Sequence, residues 1–143
     1  MASIIERIGT ILRANINAML DKAEDPEAMI DQIIRDMASA IAEARAQVAE
    51  MIAQEKIIEA NLERNRSLAN EWRQKAELAV QKGRDDLARE ALRRYNDYLE
   101  NASVYEQQLD AQRKIVDKLK NELQALESKY EDARRNREVL IAR

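Results

Sequence analysis

Side chains able to do covalent or acid–base chemistry are few in this sequence. It contains no histidine and no cysteine. That removes the usual general base at neutral pH, the thiolate nucleophile, and any thiolate-based zinc or redox site. Ser3, Ser39, Ser67, Ser103 and Ser128 are dispersed and have no base of the usual kind to activate them. No glycine-rich phosphate loop occurs. The acidic pairs Glu24-Asp25 and Asp85-Asp86 could in principle hold a metal ion or divide into an acid and a base. Each stands where a helix is expected to begin, however, and capping and the helix dipole account for a carboxylate there. An enzyme is therefore not expected, nor is a metal or a cofactor. The available chemistry is noncovalent: packing, lipid contact and protein contact.

The composition says what kind of scaffold would present such contacts. Of 143 residues, 36% are charged and 3% aromatic, with two glycines and one proline. So few turn formers exclude a multi-element β or α/β domain and match a long helix or coiled coil. The net charge of −3 mixes both signs along the chain, which gives no nucleic-acid footprint. No apolar run approaches the ~20 residues of a transmembrane helix. No basic segment followed by an apolar core marks a cleaved signal, so a cytoplasmic location is expected.

Residues 2–22 read as a separate amphipathic helix. Ile4, Ile5, Ile8, Ile11, Leu12, Ile16, Met19 and Leu20 recur at steps of three and four, which places them on one face. Two occupants of that face stand equal on pattern alone: the acyl boundary of a membrane, or a protein surface, often the chain's own. Charge does not choose between them, since Arg7, Arg13 and the amino terminus outweigh Glu6 only slightly. A joint follows at Glu24-Asp25-Pro26-Glu27. Asp25 can cap, Pro26 suits a first helical position, and proline biases Asp25 away from helical angles. The expected division is residues 1–24 as the amphipathic, membrane-binding segment and residues 25–143 as the body.

From Pro26 to Lys82 the apolar residues keep a heptad. One seam runs Ile30, Met37, Ala44, Met51, Ile58, Asn65, Trp72, Ala79; the other runs Ile34, Ile41, Val48, Glu55, Leu62, Ala69, Ala76. Thirteen of these fifteen are apolar, a sustained coiled-coil signal on a helix on the order of 85 Å long. Glu55 and Asn65 break the seam. Solvation or pairing across a hairpin is the favoured reading of them, and fixing register or partner is the other. Gly83 then coincides with a stop and a start. Glycine can take a left-handed cap, Lys82 can meet the last carbonyls, and Asp85 or Asp86 can cap the next helix. The favoured result is a reversal with its tip near 82–85. The alternative is one unbroken rod, because a lone glycine costs a helix only about 1 kcal/mol.

A second heptad follows, through Ala88, Ala91, Tyr95, Tyr98, Ala102, Tyr105, Leu109, Gln112, Val116, Leu119, Leu123, Leu126, Tyr130, Ala133, Arg137 and Leu140. Fourteen of the sixteen are apolar or tyrosine. A reversal at Gly83 would bring Trp72 near Tyr95 and Tyr98, and Ile30 near the end of the chain. The pattern is still running at Arg143, which reads as a chain cut short. The expected fold is all-α: a long antiparallel two-helix coiled-coil hairpin preceded by a short N-terminal amphipathic helix.

Four stretches carry a resemblance. They are Ala14-Asn15-Ile16-Asn17-Ala18, Lys22-Ala23-Glu24-Asp25-Pro26, Glu71-Trp72 with Lys75-Ala76-Glu77-Leu78-Ala79, and Asp86-Leu87-Ala88-Arg89-Glu90-Ala91-Leu92. In order and spacing they resemble the phage shock protein A family, which includes the vesicle-inducing protein of plastids and is related in fold to ESCRT-III. The specific likeness covers residues 1–92, and beyond Leu92 it is mostly periodicity.

The resemblance implies a peripheral protein of the bacterial inner (cytoplasmic) membrane that maintains or remodels membranes under stress. It implies binding of anionic membrane lipids through the N-terminal helix, here Ser3 to Leu20, and self-assembly into large homo-oligomers. The family's apolar face often carries phenylalanine, which this chain lacks. The family's further C-terminal assembly helices have no counterpart here. In proteobacteria the resemblance also implies inhibition of an AAA+ enhancer-binding transcription activator. Trp72, Arg73, Lys75, Glu77, Arg84, Arg89 and Arg93, around the turn, are the candidate contacts. The other expectation is a purely structural coiled-coil scaffold without a lipid role.

Overall fold

The computed structural model describes residues 3–142; the amino-terminal charge and Arg143 lie outside this range. Five helices follow in order: α1 Ile4–Arg13, α2 Ile16–Asp21, α3 Pro26–Gln81, α4 Asp85–Arg135 and α5 Arg137–Ala142. No strand occurs among the described residues. The all-α hairpin expected from the heptads is what the chain forms, with α3 and α4 packed along each other.

The amphipathic segment differs from the single helix expected over 2–22. Ser3 starts α1 by accepting a hydrogen bond from the Glu6 amide at 3.2 Å. Ala14 then turns extended, with ψ 137°, and Asn15 follows at φ −96°, ψ 102°. The Asn15 side-chain oxygen accepts from the Ala18 amide at 3.0 Å and opens α2. An asparagine that offers its own oxygen to free amides competes with helix continuation, and here it wins. At the next joint Asp25 accepts from the Ala28 amide at 3.1 Å and Pro26 is the first residue of α3, as the local sequence requires.

Gly83 makes the reversal. Its φ is +68°, the only positive φ among the described residues. The Arg84 amide donates to Ala79 O at 2.8 Å and the Gly83 amide to Val80 O at 3.0 Å, the two bonds of a Schellman cap. Two details depart from expectation. The Lys82 amide donates to Leu78 O at 3.1 Å, but among the described residues its ammonium has no partner on the last carbonyls. Helix α4 already begins at Asp85, so the cap position falls to Arg84, and Asp85 and Asp86 lie in the first turn. The Leu87 backbone amide, followed by Arg84, holds the Asp86 carboxyl below the usual carboxylate range.

The chain divides into two compact units, residues 51–115 and residues 1–50 with 116–143. In the first, Leu62, Ala102 and Leu109 form a buried cluster with Ile58 and Tyr105 packed on it. Glu55 pairs with Arg113 at 2.9 Å, and Gln112 donates to Met51 O at 3.0 Å. In the second, Ile30, Met37, Val116, Leu119 and Leu126 are almost wholly shielded from water. Arg45 pairs with Glu127 at 3.3 Å. Arg137 reaches both carboxylate oxygens of Asp31, at 2.7 and 3.0 Å, and Glu27 at 3.3 Å. These bonds hold the Asp31 carboxyl below its ordinary value.

Every residue of the three seam series is buried or half-buried. The polar seam residues are all partnered: Glu55, Gln112 and Arg137 with the facing helix, and Asn65 with Asn61 O of its own helix at 2.8 Å. Asn136 interrupts α4 only slightly. Its amide still donates to Asp132 O, and the Leu140 amide donates to Asn136 O, both at 2.9 Å.

A side chain at position 83 would meet nothing within 4 Å, so the cost of adding one is purely backbone. Gly83→Ala is expected to lower the unfolding free energy by about 1–2 kcal/mol. The measurement is a urea titration; an unchanged midpoint would contradict the left-handed cap.

Candidate functional site

The eight apolar residues of the amphipathic segment do not share one environment. Ile4, Ile8 and Leu20 are buried, and Ile8 has no exposed surface at all. Ile5, Ile11, Leu12 and Ile16 are half-buried, while Met19 is exposed. Helix α1 therefore lies on its own chain, along α3 and α4. Ala40 is buried although it lies outside the heptad seam, as a residue covered from a third side must be.

Polar contacts hold the segment in place. Arg7 on α1 forms an ion pair with Glu43 on α3. On the other side, Lys129 of α4 points its ammonium at the end of α1. It donates to Ile11 O at 2.7 Å, Ala14 O at 2.6 Å and Leu12 O at 3.3 Å. Three N–H donors thus meet three carbonyls that the helix itself leaves unsatisfied or shared. A cation at this position also faces the negative end of the α1 dipole. Burial at the joint pushes the Lys129 ammonium below the ordinary lysine value. Lys129 was not among the residues singled out from sequence. It is one lysine among many on α4, and only the break at Ala14-Asn15 gives it carbonyls to bind.

The residues around the turn form a second candidate surface. Trp72 is half-buried; the ammonium of Lys75 lies 4.2 Å from its ring centroid and the guanidinium of Arg94 4.8 Å. Trp72 and Lys75 line one groove with Leu78, Lys82, Arg84 and Leu87. Of the sequence candidates, the groove thus gathers Trp72, Lys75 and Arg84. Arg73 and Glu77 bind each other at 3.0 Å, and Arg93 binds Glu90 at 2.9 Å. Arg89 is exposed.

The apolar share of this groove, Leu78 and Leu87, was not singled out from sequence; they are 51% and 49% exposed. Their signal was legible, since both fall outside the heptad positions. Among the described residues no helix is long and apolar enough to cross a membrane, and no group of three or more acidic residues is placed to hold a metal ion.

The PspA/IM30 family profile matches residues 3–143. The chain is 45% identical over 141 residues to a phage shock protein A homolog of Deinococcus radiodurans, covering 99% of this chain and 63% of that protein. It is 38% identical over 140 residues to the membrane-associated protein Vipp1 of Synechocystis, covering 98% and 52%. It is 32% identical over 145 residues to protein LiaH of Bacillus subtilis, covering 98% and 62%. The chain thus spans between about half and just under two thirds of the length of these relatives.

Proposed function

The chain belongs to the PspA/IM30 family, and on that premise we propose that it is a non-catalytic membrane-stress effector that works at the surface of the inner membrane. Residues 1–24 bind anionic lipid, residues 25–143 form the hairpin body, and copies of the chain assemble with one another. The relatives named for membrane association support the setting. The observation that carries the reading is the amphipathic segment, whose apolar residues Ile5, Ile11, Leu12 and Ile16 are only half-buried and Met19 exposed.

Lipid binding by this face requires it to leave the body, because Ile4, Ile8 and Leu20 cannot be covered by protein and acyl chains at once. Burying an aliphatic side chain is worth about 1.5–3 kcal/mol in either place. Those three residues therefore gain little on transfer. The net gain comes from Ile5, Ile11, Leu12, Ile16 and Met19, which the protein covers only in part. Against it stand the polar contacts of Lys129 and Arg7. A cation well placed at a helix C-terminus contributes about 1–2 kcal/mol, so the two states lie close together. One observation favours the scaffold reading without a lipid role: Ile8 is already fully buried.

Sedimentation with phosphatidylglycerol vesicles separates the two. Ile8→Asp combined with Leu12→Asp should abolish binding while the far-ultraviolet helical signal of the hairpin persists. Lys129→Met should strengthen binding by about tenfold, the equivalent of about 1.4 kcal/mol of docking energy removed. Equal sedimentation of all three proteins would sink the reading and leave the scaffold.

Where the organism carries an AAA+ enhancer-binding activator, the contact proposed for it is Trp72 with the exposed charges Arg73, Lys75, Glu77, Arg84, Arg89 and Arg93. Single surface pairs are weak, so clustered charge reversal is the informative change. It should relieve inhibition of the activator's ATPase rate by the chain, and full inhibition by the reversed variant would place the contact elsewhere.

A further inference from the structure

The groove at the turn combines two kinds of surface. Its apolar part is Trp72, Leu78 and Leu87; its charged part is Lys75, Lys82 and Arg84. Leu78 is 51% exposed and Leu87 49%. Single exposed apolar side chains are ordinary, and Ile57, Leu99 and Val104 are others among the described residues; Leu78 and Leu87 are set apart by sharing one groove with an indole. The heptad explains neither, since the seam is filled without them.

Charge narrows the occupant. Residues 72–94 contain seven basic and four acidic side chains, a net of +3, in a chain whose total is −3. The acidic groups are largely spent on neighbours: Glu77 on Arg73, Asp86 on Arg84, and Glu90 on Arg93 and Arg94. The Lys82 ammonium has no partner among the described residues, and the Lys75 ammonium lies over the tryptophan face. A half-buried indole flanked by cations, leucines beside it, and an unspent ammonium at the rim form a combination suited to the headgroup boundary of a bilayer. There indole rings settle, long cationic side chains reach phosphate, and aliphatic side chains enter the acyl edge. Each basic residue near an anionic leaflet adds to the attraction.

We propose that this groove is a second lipid contact, which takes anionic phospholipid headgroups on Lys75, Lys82 and Arg84 while Trp72, Leu78 and Leu87 meet the acyl boundary. It rests on the reading that the chain works at a membrane, and it adds a contact that the N-terminal segment does not supply.

Trp72 is the only tryptophan of the chain, so its emission reports on this groove and not on residues 1–24. The experiment adds the full chain to phosphatidylglycerol vesicles carrying lipid brominated near the headgroup, with phosphatidylcholine vesicles in parallel, and follows sedimentation and Trp72 fluorescence together. The expected result is a shift of the emission to shorter wavelength and the loss of most of it to bromine on phosphatidylglycerol, with neither effect on phosphatidylcholine. Lys82→Glu combined with Arg84→Glu, checked for retained helicity, should remove the response. Sedimentation with Trp72 unquenched would overturn the groove contact and leave the N-terminal reading standing. Failure to sediment at all would overturn both. An emission shift that follows protein concentration without vesicles would show a second copy covering the groove and would overturn the proposal.

Discussion

Ile8 has no surface in contact with water, and it sits in the middle of the amphipathic face of α1. That face can be covered once. Whatever covers it gains the same apolar area, so under the proposed lipid role protein and lipid would compete on nearly equal terms for Ile4, Ile8 and Leu20, and small polar contacts would decide. The decisive ones are Arg7 on Glu43 and Lys129 on three carbonyls at the end of α1. An ammonium that satisfies orphan carbonyls contributes as charge and as hydrogen bond together, and both are lost when the helix leaves. A segment held this way suits a protein that must occupy two environments, since population follows small differences in free energy.

The body supplies a fixed platform for that competition. Its heptad positions are all turned inward, and the polar interruptions are partnered instead of left as buried orphans. Glu55–Arg113, Arg66–Glu106 and Arg45–Glu127 each join a residue before Gly83 to one after it, the later residue lying two to six positions farther from the glycine. A one-residue slip would separate every such pair and move the apolar seam off its partner. Register therefore follows from the turn, and the turn follows from a glycine at φ +68°.

Most of the hairpin was readable because long-period apolar patterning is redundant. Thirteen of the fifteen seam sites on α3 are apolar, and no single exception can redirect the face. The joint at Pro26 and the reversal at Gly83 were readable because those residues carry their own backbone restrictions. The break after Arg13 was not anticipated. The run from Ile4 to Leu20 keeps helical spacing straight through Ala14-Asn15, and a capping asparagine is a weaker signal than a proline. Lys129 was invisible for a related reason: its role depends on carbonyls exposed by that break, on an element more than a hundred residues away. The leucines around the turn were legible as exceptions to the heptad, yet their significance needed the fold, which places Leu78 and Leu87 in one groove with Trp72.

Helix α1 docks on its own body through the same face that is proposed to meet lipid. The chain has no cysteine, so thiols placed at Arg7→Cys and Glu43→Cys would be the only two, and a short bis-maleimide can bridge them. The measurement is sedimentation of the bridged chain with phosphatidylglycerol vesicles, beside the same chain with each thiol capped singly. The expected result is that the capped chain sediments and the bridged chain stays in solution. A bridged chain that sediments as well as the capped one would contradict the claim, because the face could then meet lipid without leaving the protein.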